Sequence, residues 1–289
     1  MSKNIIVTGG SGFVGKFLLN ELKECGYKVT NVDISTGYDI LNWEKIKNLK
    51  NFDVVIHLAA KSYVPHSYSS PHEFYHTNVV GTLNMLELCR LNDARMVFTS
   101  SYVYGIPSYI PIDEKHRLES LNPYSHTKIL GENLCESYYN NFRVPITILR
   151  PSNIYGEGQN NNFLIPTILS QLNKGNIKLK DKRPKRDYIY VKDMVRAYVL
   201  ALESMEEYFR VFNIGSGKSY SVERIASTIV KESKKDIHIS FSDSDRKVEV
   251  MDLKYDIKNA SKFLKWKPIY SIEEGIKKII INYNEDRGL

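Results

Sequence analysis

Thr8-Gly9-Gly10-Ser11-Gly12-Phe13-Val14-Gly15 follows the apolar run Ile5-Ile6-Val7 and leads into Phe17, Leu18, Leu19, Glu21 and Leu22, whose spacing is that of an amphipathic helix. A strand ending in closely spaced glycines lets the chain turn sharply. It also lets a pyrophosphate reach the amides at the next helix N-terminus, where the helix dipole favours negative charge. Gly10, Gly12 and Gly15 meet the G-x-G-x-x-G spacing, and Gly9, Gly12 and Gly15 the looser G-x-x-G-x-x-G. Taken alone the cluster also fits a purely structural turn. Its sequel decides between the two readings. After Gly26, Lys28-Val29-Thr30-Asn31-Val32 reads as a second strand ending in Asp33, which lies 18 residues beyond Gly15. That is close to the roughly 20 residues at which a carboxylate accepts hydrogen bonds from the adenosine ribose and repels a 2′-phosphate. The expected cofactor is NAD, with NADP possible.

Strand-like runs at 5–7, 28–32, 54–58, 96–99 and 146–149 alternate with helical patterns, including 77–91 and 125–139. Such alternation predicts an α/β fold, a Rossmann-type doubly wound parallel sheet whose ligands bind beyond the carboxyl ends of the strands. After Arg150 a loop with Pro151, Gly156, Gly158 and Asn160-Asn161-Asn162 changes the character of the chain. Residues 1–150 are expected to form the NAD-binding domain, and 151–289 mainly a smaller C-terminal substrate-binding lobe, with some segments returning to the first.

With 289 residues, 42% of them hydrophobic and 25% charged, the chain can bury a sizeable core. No apolar stretch approaches the roughly 20 residues that cross a bilayer, and the first strand begins almost at once, so no membrane partner and a cytoplasmic location are expected. The formal charge of +7 suits an acidic small molecule as well as a nucleic acid, and compositional bias explains it equally; no nucleic-acid partner is expected. Cys25, Cys89 and Cys135 lack metal-ligand spacing and read as buried free thiols in helices. No metal is expected.

Tyr124 and Lys128 stand at i and i+4 at the start of a helix introduced by Asn122-Pro123, so both project from one face. An ammonium beside a phenol favours the phenolate and turns the pair into an acid or base. In a chain with 20 tyrosines the spacing alone is weak, but Ser100-Ser101 falls where the strand 96–99 ends, on the rim where ligands bind. A serine hydroxyl there donates to and accepts from a reacting hydroxyl or ketone. His57 sits in a buried strand, and His66, His72 and His76 lack metal-like company, so they read as packing.

In these features the chain resembles the extended short-chain dehydrogenase/reductase superfamily, in particular its nucleotide-sugar epimerases, dehydratases and 4-keto-reductases. The likeness spans nearly the whole chain: TGGSGFVG, HLAA from His57, NVVGT from Asn78, SSYVYG from Ser100, YSHTK from Tyr124, RPSNIYG from Arg150, RDYIYVKD from Arg186, FNIGSG from Phe212 and Trp266-Lys267-Pro268. The resemblance implies that Tyr124 is the catalytic acid or base, that Lys128 binds the nicotinamide ribose, and that Ser100 polarises the reacting oxygen. It implies a cofactor site of Gly9, Gly12, Phe13, Val14, Gly15, Asp33, Asp39, Ile40, Leu58, Ala59 and Ala60, buttressed by Asn78. Substrate contacts would come from Ser100, Ser101, Asn153, Arg186, Arg246 and Glu249, the substrate being a nucleoside-diphosphate sugar. The helices 77–91 and 125–139 resemble the pair through which such proteins dimerise as a four-helix bundle, so a homodimer is expected.

Three departures narrow the expectation. Where the family's 4,6-dehydratases carry an acidic residue or pair after the serine, this chain has Ser101 and Tyr102, which cannot supply elimination chemistry. Only six positions separate Asp33 from Asp39, a connection shorter than epimerases usually have, and short wrapping favours cofactor exchange. A lysine-rich KLKDKRPK at 178–185 replaces a glycine-rich turn, which reads as solvated. The sequence therefore leads to a 4-keto-6-deoxyhexose reductase acting at carbon 4. A nucleotide-sugar 4-epimerase is the alternative, and a non-catalytic nucleotide-binding protein a remoter one.

Overall fold

The computed structural model describes residues 3–204, 208–242 and 250–285. The first half of the chain lays down β1 (Asn4–Thr8), α1 (Phe13–Glu24), β2 (Lys28–Val32), α2 (Trp43–Ile46), β3 (Val54–His57), α3 (Val64–Ser69), α4 (Pro71–Tyr75), α5 (Gly81–Leu91), β4 (Arg95–Thr99), α6 (Pro123–Phe142) and β5 (Ile146–Pro151). The second half adds β6 (Asn153–Tyr155), α7 (Leu164–Leu169), β7 (Asn176–Leu179), β8 (Lys185–Tyr190), α8 (Val191–Glu203), β9 (Phe209–Ile214), β10 (Ser219–Ser221), α9 (Val222–Ser233), β11 (His238–Phe241), α10 (Lys258–Phe263) and α11 (Ile272–Glu285).

The main sheet runs β2-β1-β3-β4-β5-β9 with every neighbour parallel. Its inner strands are buried on both faces, and the alternation of side chains divides the core accordingly. Ile5, Val7, Val54, Ile56 and Val97 face one way, onto α1 and α8 with Leu18, Leu22, Met194 and Tyr198. Ile6, Val55, Met96, Phe98 and Ile148 face the other, onto α5 and α6 with Met85, Leu86, Cys89 and Cys135. The chain order reverses between β1 and β3, and the turns after those two strands open the crevice in which such sheets bind ligands.

A second body is built from the sheet β10-β8-β6, the parallel pair β11-β7, and α7, α9 and α11 around Tyr155, Ile168, Ile229 and Ile276. From the later half of the chain, β9 and α8 return to the main sheet.

Three local readings change. The helical pattern at 77–91 resolves into a π turn, His76–Val80, which carries Asn78 and follows directly on α4, and α5. α6 extends beyond 125–139 because Asn122 caps it, its Oδ1 accepting from the Ser125 amide at 2.8 Å, with Pro123 opening the first turn. Cys89 and Cys135 are buried, but Cys25 is exposed, since it falls at the C-cap of α1 rather than on its apolar face. Among the described residues, no helix is long and apolar enough to cross a membrane and no side-chain cluster could hold a metal ion.

Candidate active site

A cavity of about 960 Å³ opens at the carboxyl ends of β1, β3 and β4 and reaches under the smaller body. Every residue expected to hold the cofactor lines it, Asn78 excepted, and so do Ser100, Ser101 and Asn153. Arg186 does not line it. Its guanidinium donates to the Val250 carbonyl at 2.5 Å, and its charge reaches Tyr102 and Tyr188, which do line the cavity. Arg246 and Glu249 lie outside the described residues.

The glycine turn has the shape a dinucleotide requires. Gly9 adopts φ +69°, and a Cβ there would stand 2.8 Å from the Ala59 backbone. A Cβ on Gly15 would stand 2.4 Å from the Gly9 carbonyl oxygen, so only glycine lets α1 start this close to β1. At the far end Asp33 receives the Ser11 amide at 3.2 Å and the Ser35 amide at 2.9 Å. Burial pushes its carboxyl up, but these bonds and that from the Ser35 hydroxyl outweigh it and hold Asp33 below the usual carboxylate range. A carboxylate beside backbone amides and a cradle that admits no Cβ fit an adenosine ribose and a pyrophosphate.

Behind this wall Asn78 works through the backbone. Its Oδ1 accepts from the Lys61 amide at 2.8 Å while its Nδ2 donates to the Lys61 carbonyl and to Thr127, fixing the loop that lines the cavity. His57 completes the frame. The Thr82 hydroxyl donates to the Asn78 carbonyl, so it accepts from His57 Nε2 at 3.1 Å. Thr8 Oγ1, which accepts the Ala59 amide, donates to His57 Nδ1 at 2.7 Å. His57 is therefore a neutral Nε2–H tautomer, and burial together with the Lys128 charge pushes its pKa down to about 3. The folded state keeps it neutral while the unfolded chain takes up a proton below pH 6.5, so this residue's contribution to stability is lost as pH falls from 6.5 toward 3. At pH 5 the loss is about 2 kcal/mol. Denaturant unfolding of His57→Asn is expected to show an acid limb shallower by that amount than the wild type's; identical limbs would contradict the assignment.

The two serines act on different groups. Ser100 is 2% exposed and its hydroxyl donates to Glu132 Oε1 at 2.5 Å. The Ser101 hydroxyl favours the Tyr124 phenolate. Both serines line the cavity together with Tyr124 and Lys128. Lys128, one turn after Tyr124, donates to the Thr99 carbonyl at 2.8 Å and lies 5.1 Å over the Phe98 ring. Burial lowers its pKa to about 8. Burial likewise holds the half-buried Tyr124 hydroxyl above its ordinary value, with the Ser101 hydroxyl pulling the other way. The expected depression of the tyrosine by Lys128 is not seen, since the ammonium is directed to Thr99.

Tyr198 was not foreseen. It is fully buried on α8, lines the cavity and shares a 2.8 Å hydrogen bond with Thr99 Oγ1; its position on an apolar helix face reads as core. Glu132 was also missed, although Tyr124, Lys128 and Glu132 fall at i, i+4 and i+8 on one face of α6.

A sequence model of the NAD dependent epimerase/dehydratase family matches residues 5–215. Among similar proteins, one of Methanocaldococcus jannaschii that bears the name UDP-glucose 4-epimerase provisionally is 36% identical over 96% of this chain and 97% of its own. The UDP-glucose 4-epimerase of Corynebacterium glutamicum is 34% identical over 76% of this chain and 78% of its own. Among solved structures, the UDP-glucose 4-epimerase of Thermotoga maritima with UDP-glucose superposes with a TM-score of 0.92 at 28% identity, covering 98% of this chain and 99% of that one.

Proposed function

From a chain that belongs to the NAD-dependent epimerase/dehydratase family, we propose a 4-epimerase of UDP-hexoses, interconverting UDP-glucose and UDP-galactose. The observation that carries this reading is similarity over nearly the full length to proteins named for that activity, joined to a site whose reacting end holds hydroxyls and an ammonium. The acidic residues among those lining the cavity are Asp33 and Asp39, both at the end of the cradle away from Tyr124. No described carboxylate is thus placed to eliminate water from a sugar. Asn153 at the head of β6 and Arg186 beside the cavity are proposed for the diphosphate.

NAD, when bound, supplies the acceptor and donor for the hydrogen at carbon 4, together with a positive charge that favours the Tyr124 phenolate. Tyr124 removes the proton of the carbon-4 hydroxyl and returns it to the same oxygen after the keto sugar has turned its other face to the hydrogen donor, so that carbon 4 is inverted. Ser100, with Ser101 beside it on the cavity wall, is proposed to hold the oxygen between the two events. Lys128, anchored on Thr99, keeps a positive charge in the cavity at neutral pH and is proposed to hold the nicotinamide ribose.

The short connection between Asp33 and Asp39 pointed instead to a reductase. In the structure it is a compact turn capped by Asp33, and Ile34, Tyr38, Asp39 and Leu41 wall the cavity without a long excursion. Length therefore says little about how firmly adenosine is held. The test is the nucleotide released when natively purified protein is denatured. Near-stoichiometric NAD is the outcome expected of an epimerase, which regenerates its cofactor in each cycle; an empty site binding NADH reversibly would favour the reductase.

The same reading carries a homodimer through α5 and α6, which leave Leu83, Leu91 and Phe142 exposed. Light scattering is expected to give twice the chain mass; a monomer at micromolar concentration would contradict it.

A further inference from the structure

A second cavity, of about 540 Å³, opens on the smaller body and has no part in the reaction described. It lies among β10, the turn that follows β9, the start of α10 and the segment that leads into α11, and shares Tyr188 with the first cavity. Its size falls in the range of small-ligand sites. Two of its walls are pinned from within by buried carboxylates. Asp187 accepts the Ser216 amide at 2.6 Å, the Ser216 hydroxyl at 2.8 Å and the Gly217 amide at 3.0 Å. Asp193 accepts the Ile269 and Tyr270 amides, each at 3.0 Å, and its carbonyl takes the Trp266 indole N–H at 2.9 Å. Charge-assisted bonds of this kind hold both loops in place, so the cavity is preformed.

What the pinned loops present is cationic and aromatic. Lys218 stands on one, Lys267 on the other, and Lys258 adds a third ammonium to the lining. Lys258 is paired with Asp256 at 3.1 Å, whereas Lys218 and Lys267 have no carboxylate partner among the described residues. The carboxylate in the lining, Glu274, is occupied by Ser271, whose amide and hydroxyl each donate to it at 2.8 Å. Tyr188 and Tyr220 share a face of the β10-β8 pair, because Tyr220 lies opposite Arg186, two positions from Tyr188. Tyr270 joins them in the lining, its ring set edge-on at 4.8 Å from Tyr190.

We propose that this cavity is a second ligand site, separate from that of the reaction, for a nucleoside monophosphate. Two uncompensated ammoniums on separate loops suit an anion with several oxygens, and tyrosine rings suit a flat partner. Lys218 and Lys267 take the phosphate and the tyrosines take the base. Nothing in this assignment rests on the 4-epimerase reading.

Isothermal titration of protein saturated with NAD reads the site, with AMP as the probe. AMP is expected to bind with a dissociation constant at or below about 1 mM. Inorganic phosphate should bind at least about tenfold more weakly, since it leaves the tyrosines unused. Lys218→Glu combined with Lys267→Glu should weaken AMP at least about tenfold, because attraction becomes repulsion at two places. Both lysines are exposed, so the core is untouched, and an unchanged melting curve checks this. They line the second cavity and not the first, so AMP held in the first would persist in the variant. Absence of binding at about millimolar AMP, an unchanged affinity in the folded double variant, or phosphate binding as tight as that of AMP would overturn the proposal.

Discussion

Tyr124→Phe is expected to lower kcat by about 10²- to 10⁴-fold, the range supplied by a positioned acid or base, which is about 3–5 kcal/mol of transition-state stabilisation. The ring keeps its edge contact with Phe74, whose centroid lies 6.4 Å away, so the variant loses the hydroxyl and little packing. Phenylalanine can neither take the proton from carbon 4's hydroxyl nor return it, and Ser101 alone has no acidity suited to the task. NAD affinity should stay within about threefold, because the glycine turn, Asp33 and Lys128 remain. Steady-state turnover with a parallel titration of NAD fluorescence quenching separates the two quantities. A variant with near-normal kcat would remove Tyr124 from the mechanism, and one that no longer binds NAD would make its role structural.

The second large effect is on stability. Arg150→Met removes one member of a buried pair and strands the Glu132 carboxylate with the Ser100 hydroxyl as its remaining side-chain donor. Such losses typically cost about 3–5 kcal/mol, because a desolvated charge is left uncompensated. Replacing both partners, Glu132→Leu with Arg150→Met, should recover much of the loss, since apolar side chains of similar volume avoid the desolvation penalty altogether. Equilibrium unfolding in urea reads both variants. If the double variant were as unstable as the single one, volume and shape rather than the stranded charge would be responsible.

The sheet and its glycine turn were legible because both rest on local patterns: apolar runs of strand length, helical spacing between them, and glycines where a Cβ would strike Ala59 or the Gly9 carbonyl. The pair Tyr124 and Lys128 was legible for the same reason, four residues apart on one helix. The partner of the Ser100 hydroxyl was not, for it is Glu132, 32 positions later in the chain. The direction of Lys128 was hidden likewise, for it is set by a carbonyl at the end of β4. The role of Asn78 could be expected from its motif, but not that it acts through the backbone of Lys61 from a π turn. Loop length left out how the segment from Asp33 to Asp39 is built, a tight turn that presents large side chains to the cavity. Tyr198 left no signal distinct from ordinary core, since a phenol on an apolar helix face shows its purpose only when its hydroxyl finds a partner.

The most direct measurement is to incubate the purified protein with UDP-galactose and no added cofactor, and to separate the nucleotide sugars by chromatography over time. The account predicts UDP-glucose accumulating to a constant ratio, the same ratio being reached from UDP-glucose, with no net consumption of NADH. Failure to interconvert the two, together with NADH-dependent reduction of a nucleotide-linked 4-keto sugar by the same preparation, would contradict it.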